Sequence, residues 1–424
     1  MANGSAPRDL SETEKWNPRV WHRRVSRPVT IWMLVFILVG IVQPFIPNSR
    51  WLLIHIFALG ILTNSIIVWS QNLTERFLHH RLDDSERPIQ LLRSQLLNAC
   101  VVLVLVGMLL KPGKNWALAL TAVGAVGLAG VLAWHGVVIV QQIRVAGPHQ
   151  RFRPAVQFYV ASAACLTIGA CLGAVLIYEL PGTWHGRVLA AHLMLNVFGF
   201  VGLAAGGSLT VLFAAMWRIQ GTLARPDVML AMAGVGLGFA VVGVLAGSGL
   251  AAGCGIGIYT AAWAYALQEW INALLAVRGE RKGRATYWSL SALAAVTWLV
   301  FSCIALTMSL LTSGGNIGRF YLPVLPLLLG FAAQLLIGTM SYLLPTTMGG
   351  GPAATRAGLA ELNRAGVPRA ALYNAGLVCW LAVESPIARA VCISLVFGCL
   401  IAFLPLTARG VRAQRAVIVT KVPR

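Results

Sequence analysis

Two histidines lie inside long apolar segments, each five residues after an arginine. The pattern is Arg50-x4-His55 in one segment and Arg187-x4-His192 in a later one. An ionisable side chain within hydrocarbon is rare and usually functional. Neutral imidazole is the usual protein ligand of haem iron and a good ligand of copper. We therefore expect the two histidines to lie at equal depth near one membrane surface and to hold a haem or a metal ion.

Small and polar residues continue the helix face that carries His192. They are Asn196, Gly199, Gly206 and Thr210, and together they would leave room for a flat macrocycle beside the imidazole. The alternative is helix packing, because small residues let membrane helices approach closely. In that interpretation each histidine simply bonds to a neighbouring helix. The sequence leaves both interpretations open.

Three further ionisable groups are candidates for other roles. His135 and Glu269 fall within apolar segments, and they occupy equivalent positions when Arg144 is aligned with Arg278 in an internal repeat. They are candidates for a proton or ion path, and a glutamate that is protonated or paired with a neighbouring helix is the alternative. His185 lies in a loop seven residues before His192. It could bind copper there, although a solvated loop histidine is favoured.

Arginines recur just before these segments. Arg50 and Arg187 precede the two histidines, and Arg319 occupies the same frame in a later segment. Such residues could pair with haem propionates or an anionic substrate through charge-assisted hydrogen bonds. Anchoring to lipid headgroups explains them equally well.

A membrane must position these side chains. The chain of 424 residues is 58% hydrophobic and only 11% charged, whereas a soluble domain carries about a quarter charged residues. The apolar residues form blocks long enough for helices that cross roughly 30 Å of hydrocarbon. The predicted fold is an all-α integral membrane protein of about 12 transmembrane helices. The segments are 28–46, 51–71, 94–111, 116–140, 156–179, 188–213, 228–247, 250–275, 288–312, 320–345, 368–383 and 387–405.

The basic residues indicate the orientation of these segments. If the N-terminus is cytoplasmic, the inner connections and tails carry 27 of the 33 lysines and arginines, as the positive-inside rule requires. The net charge of +20 is thereby explained by topology rather than by nucleic acid binding. We expect a multi-pass protein of the cytoplasmic membrane with both termini in the cytoplasm.

The chain divides into a membrane domain and two short tails. Residues 1–27 and 406–424 are predicted to be basic cytoplasmic tails, and 28–405 the membrane domain. No connection is long enough for a soluble catalytic domain. The cysteines form no CxxC pair and are expected to be buried thiols. Any function therefore resides in the membrane, at its surfaces or in a partner.

An internal repeat is suggested by several matching stretches. The third and eleventh segments begin with Arg93-Ser-Gln-Leu-Leu-Asn98-Ala and Arg369-Ala-Ala-Leu-Tyr-Asn374-Ala. Further matches join the sixth and tenth segments, as Gly199-Phe200 corresponds to Gly330-Phe331. These correspondences predict three parallel four-helix repeats, at approximately 28–143, 156–278 and 288–405.

This arrangement resembles the catalytic subunit of haem-copper oxidases and the related NnrS membrane proteins, which contain haem and copper. The runs His55-Ile-Phe-Ala-Leu-Gly60 and His192–Gly202 are also similar to the membrane portion of bacterial multicopper oxidase or copper nitrite reductase fusions. The resemblance implies haem b and copper as cofactors, with His55 as a haem ligand and His192 as a copper ligand. It also implies an extracytoplasmic cupredoxin-type partner beside the lipid bilayer.

The chain departs from the oxidase pattern in its other ligands. The adjacent histidine pair of the seventh helix, the two histidines of the tenth and the tyrosine that follows the sixth-helix histidine are all absent. One haem or one metal ion is therefore expected, rather than the complete binuclear centre.

Three functions remain in competition. The leading hypothesis is a haem-binding and copper-binding membrane protein in electron transfer or in nitrogen-oxide and nitric oxide metabolism, oxidoreductase-like if it is an enzyme. The second is a transporter or channel for a small solute, with Glu269, His135 and Asn196 along a polar path. The third is a membrane anchor for a separate copper oxidase.

Overall fold

The chain is helical throughout the part that the structure describes. The computed structural model describes residues 18–110, 114–277, 284–312 and 323–420, and no β-strand occurs among them. The helices, numbered in chain order, are α1 (Pro18–Val42), α2 (Ser49–Phe77), α3 (Arg87–Leu110), α4 (Asn115–Ala146), α5 (Arg153–Val175), α6 (Trp184–Trp217), α7 (Pro226–Ala246), α8 (Gly249–Ala276), α9 (Tyr287–Thr312), α10 (Pro326–Met348), α11 (Gly351–Leu362), α12 (Gly366–Ala382), α13 (Pro386–Ile401) and α14 (Phe403–Thr420).

Eleven membrane spans are long and apolar enough to cross a bilayer among the described residues, with α13 and α14 counted as one continuous span. This confirms the prediction of an all-α, multi-pass membrane protein. The predicted eleventh segment is α12, which has 17 residues and is therefore only about 26 Å long. Its central residue Asn374 accepts a hydrogen bond from Trp298 in the middle of the spanning helix α9, so α12 lies at membrane depth.

The first helix begins earlier than the sequence predicted. The expected tail 1–27 overlaps α1, which starts at Pro18. Trp21 and Val25 are buried and form a small apolar cluster with Val68 of α2. This contact was not predicted, because the many basic residues of the stretch are typical of a solvated tail.

Two helices form a layer at the end of the molecule where α10 and α13 finish. The connection between α10 and α12 contains α11, and most of the expected tail 406–424 is helical as part of α14. Gln414 of α14 is buried and donates to the carbonyl oxygens of Pro345 and Gly349 at 2.9 and 2.8 Å. The sequence analysis assigned no helix to either stretch.

Three spanning helices contain a widened, π-helical segment of eight residues. The segments are Ile56–Thr63 in α2, Leu195–Gly202 in α6 and Pro326–Ala333 in α10. A π-helical turn bonds each amide to the carbonyl five residues earlier, and such segments occur frequently at functional sites. The widening changes the faces on which the preceding and following side chains lie.

Tyrosines of neighbouring helices cap carbonyl groups in two of these segments. Tyr259 of α8 donates to Phe198 O at 2.9 Å, and Tyr373 of α12 donates to Leu329 O at 2.7 Å. Because no water enters hydrocarbon, a carbonyl displaced from regular helical bonding needs such a donor. These bonds fasten α8 to α6 and α12 to α10.

In α2 the donor belongs to the same helix. Asn64 Nδ2 donates to Gly60 O at 2.8 Å and approaches Leu59 O at 3.4 Å. Asn64 also exchanges hydrogen bonds with the Asn98 amide of α3 at 2.9 and 3.2 Å. The widened turn of α2 is thus fastened to α3.

We predict that Tyr259→Phe and Tyr373→Phe each destabilise the protein by about 1 kcal/mol, because each removes a hydrogen bond between two helices. Thermal unfolding in detergent measures the effect. Tyr178→Phe is the matched control, since Tyr178 is 55% exposed. If all three variants had the same unfolding midpoint, the role of these two hydrogen bonds would be contradicted.

We also predict a pH-dependent contact between α11 and α14. Arg364, together with Arg409 of α14, bonds the Glu361 carboxylate at 3.1 and 3.0 Å and holds its pKa below the usual range. A lowered pKa in the folded state stabilises the contact at neutral pH, and this stabilisation is lost as the pH falls through that pKa. Amide exchange in α14 should be slightly faster in Glu361→Gln than in wild type at pH 7, and equal in the two proteins once the carboxyl is protonated. An equal difference at both pH values would contradict this.

Candidate functional site

His55 is the last residue before the π-helical segment of α2. Its Nδ1 lies 2.8 Å from the carbonyl oxygen of Trp51, one turn earlier in the same helix. The imidazole stacks on the Trp51 indole with ring centroids 3.8 Å apart and planes inclined by 20°. A carbonyl oxygen only accepts, so Nδ1 carries the proton and Nε2 keeps its lone pair.

His192 of α6 also bonds a backbone carbonyl through Nδ1, but that carbonyl belongs to a neighbouring helix. Its Nδ1 lies 2.8 Å from Gly169 O of α5, so its Nε2 also keeps the lone pair. The Asn196 amide nitrogen lies 3.1 Å from that Nε2 and can donate to it. Two glycines of α5 leave space for this pair, since a Cβ at Gly173 would lie 3.0 Å from His192 Cε1 and one at Gly169 would collide with Asn196 Oδ1.

The two imidazoles are near each other but are not at equivalent positions. Both are half-buried, and they are close enough for a charge on His192 to act on His55. The π-helical segments of α2 and α6 begin at Ile56 and Leu195. The residue just before each segment is His55 in α2 and Met194 in α6, so His55 corresponds to Met194 rather than to His192. Counted from the starts of these segments, the two histidines differ by two positions.

The stripe of small residues beyond His192 is filled by protein. A Cβ at Gly199 would lie 2.6 Å from Cys165 Cβ, and one at Gly206 would lie 2.9 Å from Phe158 Cε1. Thr210 is buried and donates to Gly207 O of its own helix. The stripe is a packing surface for α5, so the macrocycle interpretation of these positions is wrong.

The other residues proposed around the histidines lie apart from them or are engaged elsewhere. His185 is exposed near the start of α6, and Arg50 is exposed at the start of α2. Arg187 donates to Leu245 O at 3.4 Å and its guanidinium lies 5.3 Å from the Trp184 ring. Its contact is therefore with the end of α7. Arg319 lies outside the described residues.

His135 and Glu269 have different surroundings. His135 is 3% exposed and its Nε2 lies 2.9 Å from Ser70 Oγ of α2. Glu269 is half-buried on α8 and makes no hydrogen bond or ion pair with any residue that the structure describes. No contact joins the two side chains within the described part of the chain.

Polar side chains that the sequence analysis did not single out surround His135. Gln71 donates to Gln142 Oε1 at 2.8 Å, between α2 and α4. Arg93 of α3 is 4% exposed and close enough to His135 for electrostatic interaction, with its guanidinium 5.6 Å from the Trp134 ring. The one sequence signal for these residues is that long polar side chains occur within otherwise apolar helices. Groups here without a partner among the described residues are His135 Nδ1, Thr74 Oγ1, Gln142 Nε2 and two Arg93 nitrogens.

Two tryptophan–asparagine hydrogen bonds lie beside two of the π-helical segments. Trp32 Nε1 donates to Asn98 Oδ1 at 2.7 Å, and Trp298 Nε1 donates to Asn374 Oδ1 at 2.8 Å. Each indole packs on a glycine of the widened turn, where a Cβ would lie 2.7 Å from Trp32 or 2.6 Å from Trp298. These glycines are Gly60 and Gly330.

A cavity of about 70 Å³ lies where α2, α6 and α10 meet. Most of its lining residues form triplets, whose members occupy equivalent positions counted from the starts of the three π-helical segments. The Ser65 hydroxyl lines the cavity, is buried and has no partner among the described residues. The triplets are Leu62, Val201 and Ala332; Ser65, Ala204 and Leu335; Ile66, Ala205 and Leu336; Trp69, Ser208 and Thr339; and Leu73, Leu212 and Leu343.

We predict that Asn98→Leu destabilises the protein more than Asn374→Leu. Asn374 bonds one side chain, Trp298, whereas Asn98 bonds both Trp32 and Asn64. Each orphaned buried group costs about 1–3 kcal/mol. Unfolding in detergent measures the difference, and the double variant Asn64→Leu/Asn98→Leu should recover part of the loss because it removes both amides. Equal losses for the two single variants would refute the role of Asn98 as a hub.

The described residues contain no group of three or more His, Cys, Asp and Glu side chains placed to hold a metal ion. Comparison with known proteins adds no family, since no protein-family model matches the chain and no curated protein matches its sequence.

Proposed function

We propose that the chain is a membrane redox protein in which His55 and His192 ligate one haem or one copper ion. The observation that supports this most is the 2.8 Å hydrogen bond from each Nδ1 to a backbone carbonyl. A ligating histidine is usually held in this way, because the bond fixes its tautomer and leaves Nε2 for the metal. Both side chains are half-buried. The donor set thus fits a two-histidine cofactor.

One-electron transfer is the chemistry that such a cofactor would supply when bound. The protein's part is to orient the imidazoles and to keep water away from them. The Asn196 amide nitrogen lies 3.2 and 3.1 Å from the two ring nitrogens of His192, so it packs beside the imidazole. A complete oxygen-reducing centre is not proposed, because the further histidines that it requires are absent from the sequence.

The proposed partner is an extracytoplasmic copper protein of the cupredoxin type. Both histidines lie near the ends of α2 and α6 that follow short, weakly basic loops. An electron carrier docking at that surface would be close to the cofactor, which suits electron transfer in nitrogen-oxide metabolism. A membrane anchor for such an enzyme would use the same surface without a cofactor.

We propose a three-unit architecture that underlies these sites. Three features support it: the π-helical segments, the cavity triplets and the two Trp–Asn pairs. In the middle unit Cys165 and Leu237 lie against Gly199, at the position where Trp32 lies against Gly60 in the first unit. Each proposed unit contributes one central helix, namely α2, α6 or α10.

The proposed topology has twelve crossings in the cytoplasmic membrane and both termini in the cytoplasm. The twelfth crossing requires α12 to span, and its hydrogen bond to Trp298 at mid-membrane supports this. The excess of basic residues in the inner connections supports the orientation.

A proton or polar-solute path is the second candidate function. The polar side chains between α2, α3 and α4 favour it, because buried groups without partners are usual sites of internal water. In this version His135, Ser70 and the Gln71–Gln142 pair carry the path. Glu269 of α8 contacts none of these side chains among the described residues. It would join the path only if residues of other helices connected it.

Absorption spectroscopy and metal analysis of the purified full-length protein test the redox proposal. We expect a Soret band or stoichiometric copper in wild type, lost in His55→Ala and in His192→Ala. His185→Ala is the matched control because it removes an exposed imidazole from the same end of α6. Asn196→Ala should keep the cofactor, since Asn196 is not a ligand.

The outcomes separate the candidates. Identical spectra and metal contents for wild type and both ligand variants would refute the ligand role. A cofactor-free protein that co-purifies with a cupredoxin would favour the anchor. Solute uptake that is abolished in His135→Ala and retained in His55→Ala would favour the path.

A further inference from the structure

An apolar groove runs between the first two helices and the last ones. Its floor is formed by Ile61 of α2 and by Ala333, Leu336 and Ile337 of α10, all buried. Residues of α1, α13 and α14 form its walls, and its volume is about 460 Å³. That volume is within the range of about 300–1,000 Å³ that is usual for ligand pockets. Gln43, at one end, is its one polar lining residue among those described.

We propose that this groove binds one acyl chain of an anionic phospholipid, with the headgroup at the end marked by Gln43. The first argument is length. The lining residues extend from Met33 of α1 to Gln43, the residue after its end, which is about 15 Å. This equals half of the roughly 30 Å hydrocarbon thickness of a bilayer. The groove therefore matches the chain of a lipid in one leaflet.

The second argument is charge at the headgroup end. On α2 the lining residue Leu53 follows Arg50 at i+3 in the regular part of the helix, so these two share one helix face. Phe57 and Ile61, in the π-helical segment, continue the lining of the groove. Arg50 is exposed at the membrane-surface end of that face. A phosphate at the groove mouth would lie beside this cation.

The opposite wall repeats the arrangement. On α13 the lining residues Ile393 and Phe397 follow Arg389 at i+4 and i+8. Arg389 is exposed, and its Nε donates to Val383 O at 2.7 Å, which fixes the guanidinium near the start of the helix. Two cations thus stand one on each side of the groove, on a membrane face that carries few others. This pairing favours a phosphate headgroup over an uncharged isoprenoid.

The third argument is connectivity. Helices joined by short loops, such as α7 and α8 or α4 and α5, pack against each other along their lengths. No loop joins α1 to α13, and these two are the least buried of the described spans. A gap at this place leaves apolar side chains without protein contacts, and a lipid chain restores those contacts.

The test compares lipid retention by native mass spectrometry. The full-length protein is reconstituted in vesicles of equal phosphatidylglycerol and phosphatidylcholine and then extracted in mild detergent. We expect one phosphatidylglycerol to be retained per chain. Gly40→Phe should abolish retention, because Gly40 lines the groove and a Cβ there meets nothing within 4 Å. Gly238→Phe is the matched control, as Gly238 has the same open surroundings on α7.

The arginines provide a second test that does not depend on filling the groove. Arg50→Gln and Arg389→Gln should each weaken phosphatidylglycerol retention about fivefold, since one cation near a membrane surface contributes about 1 kcal/mol to binding of anionic lipid. Lys114→Gln removes a positive charge from the same face, away from the groove, and should have no effect. Equal retention by all variants would overturn the proposal. Retention of a quinone, or of phosphatidylcholine as strongly as phosphatidylglycerol, would overturn the assignment of an anionic lipid.

Discussion

Inside a membrane, the additional donors that fasten a widened helical turn to its neighbours must come from the protein itself. This constraint governs the centre of the molecule, because α2, α6 and α10 all contain a π-helical segment. The donors are Asn64, Tyr259 and Tyr373, and the carbonyls that they reach include Leu59, Phe198 and Leu329. Each of those three acceptors is the fourth residue of its segment, so the capped carbonyls are equivalent in the same way as the cavity triplets. Because two donors come from other helices and the third is bonded to α3, capping the widened turns also determines which helices pack together.

The widened turns and the histidine motif give different correspondences between α2 and α6. The Arg-x4-His pattern aligned His55 with His192, whereas the starts of the π-helical segments align His55 with Met194. His55 ends the regular part of its helix and bonds within it, while His192 lies three residues before the widening and bonds to α5. Sequence comparison within one chain counts residues and cannot detect where a helix adds one residue to a turn. The shared feature of the two histidines is chemical, in that each uses Nδ1 on a carbonyl.

Length and apolarity were sufficient to predict the membrane fold and most of the helices. The match of Arg93–Asn98 with Arg369–Asn374 also anticipated contacts that the structure contains, because both asparagines accept from a tryptophan. The sequence could not reveal that Gly199 and Gly206 are covered by Cys165 and Phe158, since a small-residue stripe suits both a cofactor and a packed helix. The amphipathic α11 and α14 were missed for a related reason. Their apolar faces are short, and the partners that cover them are distant in sequence.

The two Trp–Asn bonds lie in the parts of the molecule that border the groove between the first and last helices. In the proposed three-unit arrangement the middle unit is joined by short loops to both neighbours, through α4–α5 and α8–α9. The first and third units each have one such junction and one edge on the groove. Those two units contain the Trp–Asn bonds, and the middle unit has Cys165 and Leu237 at the corresponding contacts. An internal hydrogen bond in low-dielectric surroundings is expensive to break, so it stabilises a unit whose outer edge contacts lipid rather than protein. The lipid in the groove and the two buried asparagines would then serve one purpose, which is to hold the open side of the bundle together.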